Sequence, residues 1–388
     1  MAQDTDQDKD QDQNRNQDQE QNQDQVQNIT QEKGKKKKGR WKKVLLIISL
    51  SLVLLIILAI VGACIYSNYL LNQITPYDPS NDVTISQEEA EQIIQNDPEQ
   101  FEVDPDTEED LPNIEDFVIP EEVPSQEEEQ PASMDHVINI MLIGQDRRPG
   151  EGRQRSDSMI LVTVNKSKGT ITLTSFMRDQ YVRIPGYKNN KMNAAYAFGG
   201  MKLLNETVEA NFGVKIDGDI EVDFNNFKKL IDMLGGVDIS LTSKEVNHLN
   251  KGWGYNLSTG VQRLNGAEAL AYSRIRSIDS DYNRANRQRK VILSLINRYK
   301  SLSSMEMILM LDDILPLVTT NMSKSEIIDV IMAVAPMLAG AQIDSMRIPV
   351  DGTFRQGNAR VRAGLAAWFQ YDIDFAANRK VLMEIMAE

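Results

Sequence analysis

Two clusters of charged residues are spaced for chemistry on an anion. The first is Gly144-Gln-Asp-Arg-Arg148, followed by Arg155-Ser-Asp-Ser158. Asp146 follows the end of one predicted strand and Asp157 precedes the next, and in α/β sheets sites collect at strand ends. Two carboxylates on neighbouring loops suit a hard divalent cation such as Mg²⁺. The alternative is that each carboxylate pairs with the arginine beside it.

The second cluster is Arg274-Ile-Arg276, then Asp279 and Asp281, then Arg284, Arg287, Gln288 and Arg289. Arg284, Arg287 and Val291 recur at spacings of three and four, so they extend the apolar stripe of a predicted helix toward its N-terminus. Inward-facing arginines there are costly unless an anion meets them, and the helix end adds its own partial positive charge. A phosphate is the natural occupant, because guanidinium binds it through two parallel hydrogen bonds. The alternatives are a solvated basic face or an RNA surface. The cluster carries no interleaved stacking aromatics of the kind a nucleic-acid platform needs. Between the clusters lies Arg178-Asp179, after another predicted strand, and Lys191 and Asn193 open the next helix.

The elements that must hold these residues follow from periodicity. Residues 137–143 form a nearly continuous apolar run and predict a buried strand. Residues 159–165 and 170–175 are β-rich and flank Lys166-Ser-Lys-Gly169, a hairpin signal. Residues 237–241 and 343–350 read as further strands. Helical spacing covers 193–211, 224–234, 267–273, 283–302, 305–318, 324–338 and 375–386. Strands alternating with helices predict an α/β fold, a three-layer α/β/α domain with a central mixed sheet over residues 133–388.

The rest of the chain is organised by charge. The net charge of −15 is unevenly distributed. Residues 1–43 hold 10 basic and 9 acidic side chains, residues 67–132 hold 20 acidic and no basic ones, and residues 133–388 hold 32 basic and 28 acidic. The part expected to fold is mildly basic, which suits an anionic substrate. Residues 44–66 are 23 residues without a charge; as a helix they would span about 34 Å, enough for one membrane crossing. The lysine-rich stretch before this run, and the lack of any basic residue after it until Arg147, predict a cytoplasmic N-terminus and an extracellular remainder in the cell membrane. Residues 1–31, with 11 glutamines and little apolar content, predict a disordered tail. Residues 67–132, with 8 of the 13 prolines, predict an extended acidic stalk, within which the segment from Ser86 to Ile94 has a helix-capping start. One cysteine, Cys64, and two histidines exclude a disulfide scaffold and a histidine-rich zinc site.

The region 137–300 resembles the LytR–CpsA–Psr family of membrane-anchored cell-wall proteins of Gram-positive bacteria. The similarity rests on LIGQDRR (142–148), RSDSMILVTV (155–164), SFMRDQYV (175–182), KMNAAYAFGG (191–200), LGGVDI (234–239) and ALAYSRIRSIDSDYNRANRQRKVI (269–292), in the family's order. Met177, Gln145 and Asn283 depart from the usual pattern, and no charged position is lost. The resemblance implies an α/β/α fold and a phosphotransferase. Its donor would be a polyprenyl-pyrophosphate-linked glycopolymer of teichoic acid or capsule type, and its acceptor peptidoglycan.

Carried onto this chain, the resemblance implies that Asp146 and Asp157 hold Mg²⁺ (or Mn²⁺), with Asp157 a candidate base. Arg148, Arg178, Arg274, Arg276 and Arg284 would grip the pyrophosphate, with Arg178 and Arg276 acting directly in transfer. Asp281 would sit beside the metal or orient the arginines, Asp179 would stand behind them, Arg287 and Gln288 would be further pocket residues, and Val291, Ile292 and Leu295 are the candidate wall of a lipid groove, the alternative for that stripe being plain core. Two other functions use the same features: a lipid-glycan-binding regulator of envelope assembly, as the transcriptional-attenuator label of some members suggests, and a pyrophosphatase acting without an acceptor. Direct binding of nucleic acid is not expected, because only a short polar tail is assigned to the cytoplasm.

Overall fold

A computed structural model of the chain describes residues 58, 61–62, 65–103, 108, 110–119, 134–145, 153–338 and 340–387. The tail 1–43, most of the apolar run 44–66, and the site residues Asp146 and Arg148 lie outside them. Among the described residues no helix is long and apolar enough to cross a membrane. The chain divides into two units, Met1–Tyr69 and Leu70–Glu388, and the second carries the fold.

The Leu70–Glu388 unit begins with β1 (Thr75–Pro76), α1 (Gln87–Gln95) and β2 (Phe101–Glu102). Next come β3 (Val137–Gln145), β4 (Ser156–Asn165) and β5 (Thr170–Phe176), then the short β6 (Tyr181–Val182) and β7 (Asn190–Lys191) and the helix α2 (Met192–Phe212). A strand–helix pair, β8 (Gly218–Asp223) and α3 (Phe224–Met233), leads to β9 (Val237–Leu241), α4 (Ser243–Trp253), β10 (Gly260–Leu264) and α5 (Gly266–Ser273). The chain ends with α6 (Asp281–Lys300), α7 (Ser304–Ile314), β11 (Thr319–Thr320), α8 (Lys324–Leu338), β12 (Gln342–Ile348), β13 (Arg355–Arg362), β14 (Leu365–Tyr371) and α9 (Phe375–Met386).

Seven strands form one mixed sheet in the order β1-β11-β8-β3-β4-β5-β12. The centre, β3-β4-β5, is antiparallel, while β8 and β12 join its two sides in parallel. The expected hairpin turns at Lys166-Ser-Lys-Gly169, where Gly169 has φ 67°, a conformation that costs glycine little. Successive side chains of a strand point to opposite faces. Met141, Ile143, Met159, Leu161 and Phe176 accordingly join one buried cluster with residues of α2 and α9. Leu142, Ile160 and Ile220 turn to the other face and line a cavity. A second cluster joins β9 and β10 to α4, α5 and α6 through Ile239, Leu249, Leu264, Tyr272 and Val291. Within it α5 approaches α3 so closely that a Cβ on Gly266 would lie 2.2 Å from the Lys228 carbonyl.

The acidic segment departs from the expected stalk. Its described residues pack on the fold rather than extending away. Tyr77 donates its amide to Thr320 O at 2.9 Å, β1 pairs with β11, and β2 pairs with β14. The capping start at Ser86 does form a helix: Ser86 and Glu89 exchange side-chain and backbone hydrogen bonds at the head of α1. Composition predicted an extended segment because the acidic residues and prolines dominate the average. The apolar residues scattered among them, such as Ile74, Tyr77 and Ala90, still find buried places.

Candidate functional site

A cavity of about 1420 Å³ opens between the sheet, α1, α3, α5 and α6. Its lining divides by chemistry. Arg155, Asp157, Arg178, Arg274, Arg276 and Arg284 provide charge, and Leu142, Ile160, Ile220, Leu230, Leu295 and Val318 provide aliphatic surface. One face of α6 contributes to both. Arg284, Gln288, Ile292, Leu295 and Ile296 all line the cavity; their spacing of three and four places them on one side of the helix. The face therefore grades from guanidinium to aliphatic over about 18 Å, at about 1.5 Å of rise per residue.

Local folding brings the charged end together. Asp157 is the second residue of β4, and Arg178-Asp179 comes one residue after the end of β5. The turn at Arg178 is pinned by Met177 N donating to Ile348 O at 2.9 Å and by Gln180 Nε2 donating to Met177 O at 2.8 Å. Arg274 and Arg276 leave the end of α5, whose start is fixed by an Asn265–Glu268 capping box. Arg274 lies over the Phe224 ring, 4.7 Å from its centroid.

The contacts form one network. Asp157 Oδ1 meets Arg178 Nη1 at 3.3 Å and Arg276 Nη2 at 3.0 Å. Glu99 Oε1 meets the same two guanidiniums, Arg178 Nη2 at 2.6 Å and Arg276 Nη1 at 3.2 Å. Lys191, buried with 2% of its surface exposed, lies 3.2 Å from Glu99 Oε2 and 3.2 Å from Asp179 Oδ1. Asp281 takes Arg284 Nη2 at 2.8 Å and lies 3.8 Å from Arg178 Nε. Alongside, Arg155 pairs with Asp97 at 2.6 Å.

Electrostatics follow from this geometry. Burial alone would raise the Glu99 carboxyl, but Arg178, Lys191 and Arg276 outweigh it and hold the group at about 2. Burial raises the Asp281 carboxyl above its ordinary value, against the pull of Arg284 and Arg178. Burial, reinforced by the charge of Arg178, lowers Arg284 to about 10. Arg284 Nε and Nη1 are buried with no hydrogen-bond partner among the described residues. Buried guanidinium donors left unpaired are costly, and an anion in the cavity is what would satisfy them.

The structure therefore gathers Asp157, Arg178, Arg274, Arg276, Arg284, Gln288, Ile292 and Leu295 around one cavity, with Asp179 and Asp281 behind the arginines. Two expected members are elsewhere. Arg287 is committed to Asp279 at 2.6 Å, Glu245 at 3.3 Å and the Ile275 carbonyl at 3.0 Å, under the second core. It sits three residues on from Arg284, which turns it about 60° from that face. Val291 is fully buried in the same core rather than in the groove; it lies about 100° round the helix from Ile292. Sequence reasoning did not assign Glu99, Asp97, Arg155 or Lys191 to the site. Lys191 and Arg155 sit inside motifs that could have drawn them in, whereas Glu99 and Asp97 are indistinguishable from the other acids of their segment.

The LytR_cpsA_psr family model matches residues 106–368, more than half of the chain. The chain belongs to the LytR_cpsA_psr family. It is 40% identical over 170 residues to the Bacillus licheniformis polyisoprenyl-teichoic acid–peptidoglycan teichoic acid transferase TagU, covering 43% of this chain and 54% of that protein. The match thus spans about half the length of that relative. A Bacillus mycoides TagU is 32% identical over 246 residues, 62% of this chain and 75% of that protein. The Staphylococcus aureus regulatory protein MsrR is 38% identical over 168 residues, 42% of this chain and 50% of that protein. Among solved structures of the family, Bacillus subtilis TagT superimposes with a TM-score of 0.53 at 26% identity, covering 67% of this chain and 94% of that one. A TagT structure with bound octaprenyl pyrophosphate lipid gives 0.51 at 25% identity, covering 66% of this chain and 93% of that one. The central mixed sheet expected from the sequence is thus the family's.

Proposed function

We propose that this protein is a membrane-anchored phosphotransferase that moves a glycopolymer of teichoic acid or capsule type from a polyprenyl pyrophosphate carrier onto peptidoglycan. The observation that carries this reading is the graded cavity. A guanidinium-rich end fits a pyrophosphate and an aliphatic wall fits an isoprenoid chain, and both lie on one face of α6. The names of the TagU and TagT relatives, and the lipid in the TagT structure, support the same donor class.

Phosphoryl transfer asks a protein mainly for positioning and charge neutralisation. Arg178, Arg276 and Arg284 would hold the pyrophosphate oxygens as charge develops on them, Arg284 through its unpaired Nε and Nη1. The acceptor hydroxyl oxygen, taken to be the 6-hydroxyl of muramic acid, attacks the phosphorus nearest the sugar. Its proton passes to the Asp157 carboxylate, the bond to the bridging oxygen breaks, and polyprenyl phosphate leaves. Asp179 and Asp281 hold Arg178 and Arg284 in place.

Asp157 also fits a divalent cation. Both arginines make their closest approach to its Oδ1. With Asp146 it would hold Mg²⁺ or Mn²⁺, which supplies charge neutralisation on the pyrophosphate. The apolar run 44–66 would anchor the chain, placing residues 1–43 in the cytoplasm and the catalytic unit outside the cell.

The test combines the full chain in detergent, Mg²⁺, a synthetic polyprenyl pyrophosphate saccharide and peptidoglycan oligomers, read by mass spectrometry. The expected product carries saccharide phosphate on the oligomer. Free saccharide phosphate alone would make the protein a pyrophosphatase, and intact donor would leave a lipid-glycan-binding regulator.

A further inference from the structure

Arg178, Arg276 and Arg284 at the cavity are already paired with carboxylates, while Arg274 adds a further positive charge to the lining. Arg178, Lys191, Arg276 and Arg284 face Glu99, Asp157, Asp179 and Asp281, four cations against four carboxylates among the described residues. To bridge Arg178 and Arg276, an entering pyrophosphate would have to displace a carboxylate that already meets both. Three of the four carboxylates belong to the elements that build the site: Asp157 to β4, Asp179 to the turn after β5, Asp281 to α6. Glu99 does not. It lies 177 residues from Arg276 in sequence, in the loop between α1 and β2.

Glu99 also occupies a distinctive position. Its Oε1 touches both Arg178 and Arg276, and a phosphate oxygen bridging two guanidiniums would make the same contacts. The rest of its segment covers the cavity: Ile85, Glu89, Ile93, Asn96 and Asp97 also line it. The start of that cover is anchored, with Ala90 in the main core and Ile85 N donating to Phe198 O at 3.0 Å, and the stretch that carries Glu99 has fewer ties. Asp97 holds Arg155 at 2.6 Å, the Gln95 carbonyl accepts from Arg362 Nη2 at 3.3 Å, and β2 contributes only two paired residues.

We propose that Glu99 is an internal substitute for the donor's phosphate: its carboxylate fills the bridging position between Arg178 and Arg276, and the donor binds by displacing it. Glu99 thereby sets how tightly any pyrophosphate binds, and its return to the arginines competes with the polyprenyl phosphate left after transfer. The proposal rests on the pyrophosphate-binding reading above. Glu99 sets affinity and takes no part in bond making or breaking. Lys191, which holds its second oxygen, keeps the carboxylate aligned with the arginines in the closed form.

The test uses the full chain in detergent and geranyl pyrophosphate as the probe, with affinity measured by titration calorimetry. Glu99→Gln keeps the side chain's size and removes its charge. It should bind the probe about tenfold tighter than the wild type, the order of gain expected when a competing close charge pair is removed. Asp97→Asn leaves the Glu99 carboxylate in place but loosens the cover at Arg155 and at the Glu99 amide, which donates to Asp97 Oδ1 at 3.0 Å, and should tighten binding by a smaller factor; it serves as the second variant should Glu99→Gln fold poorly. In the wild type, backbone amides of residues 96–103 should exchange hydrogen faster once the probe is bound.

If the wild type binds and both variants bind no tighter, with residues 96–103 equally protected, the proposal falls and the pyrophosphate reading stands. If neither wild type nor variants bind the probe, both fall. Tighter binding by Glu99→Gln without transfer to peptidoglycan would uphold the proposal and overturn the transferase.

Discussion

Arg284 and Arg287 sit three residues apart on α6, both almost fully buried, and they do different work. Arg287 has both terminal nitrogens committed, to Asp279, Glu245 and the Ile275 carbonyl, and ties α6 to the second core. Arg284, which lines the cavity, pairs with Asp281 and has Nε and Nη1 buried without a hydrogen-bond partner among the described residues. Burial and residue type do not separate an arginine that lines the cavity from one committed to the core. What separates them is how many donors the fold has already used.

The sharpest way to test that contrast is at the cavity. Asp157→Asn removes the charge opposite Arg178 and Arg276, and transfer by the full chain should fall about 10³-fold. Its melting temperature should stay within a few degrees of the wild type, because Asp157 is partly exposed at the cavity. A large loss of folding with proportionate loss of activity would make Asp157 structural.

Arg287→Ala should do the reverse. It strands Glu245 and Asp279 beside the core, and urea unfolding should show a loss of about 3–5 kcal/mol. The fraction that remains folded should keep most of its specific activity; full loss of activity in a well-folded variant would return Arg287 to the site.

A smaller effect is expected along the same helix. Ile292→Ala shortens the aliphatic wall and should weaken binding of a long-chain prenyl pyrophosphate roughly tenfold, about 1–2 kcal/mol. Binding of inorganic pyrophosphate should not change. Equal weakening of both ligands would mean that Ile292 shapes the charged end as well.

The smallest effect is a pH dependence of stability. The Glu99 carboxyl is held at about 2 against an ordinary value of 4.5. A carboxyl depressed in the folded state contributes stability above its unfolded value and loses it as pH falls toward the folded one. Wild-type stability should therefore drop more steeply between pH 4.5 and about 2 than that of Glu99→Gln. Parallel curves would mean that Glu99 is not held by the arginines in solution.

Much of this arrangement was legible in the sequence, for physical reasons. The hairpin at Lys166–Gly169, the buried run of β3 and the long helix α6 show strong local periodicity, and the family motifs supplied the site's order along the chain. Elements held mainly by distant partners were not legible. The strand β8 is short, with acidic residues at Asp219, Glu221 and Asp223, and is fixed by pairing with β3. The β13–β14 hairpin carries arginines that resemble a solvated loop. Val291 lies in the second core while Ile292 lines the cavity, because a stripe read from sequence has no absolute rotation until the neighbours of the helix are known. Glu99 could not be singled out among 20 acids in its segment, since nothing local distinguishes the one that reaches the arginines.

The graded face of α6 has a further consequence for how a donor would move between membrane and protein. Its length from Arg284 to Ile296, about 18 Å, is close to the depth of one leaflet of a hydrocarbon core roughly 30 Å thick. A prenyl chain drawn into the cavity would trade one leaflet's depth of lipid contact for a similar length of protein surface. Partitioning between bilayer and protein would then be nearly neutral, and the preference for binding would fall to the headgroup and the arginines. Isoprene units beyond that length would stay in the membrane, so the protein would read its donor by the first part of the tail and tolerate variation in the rest.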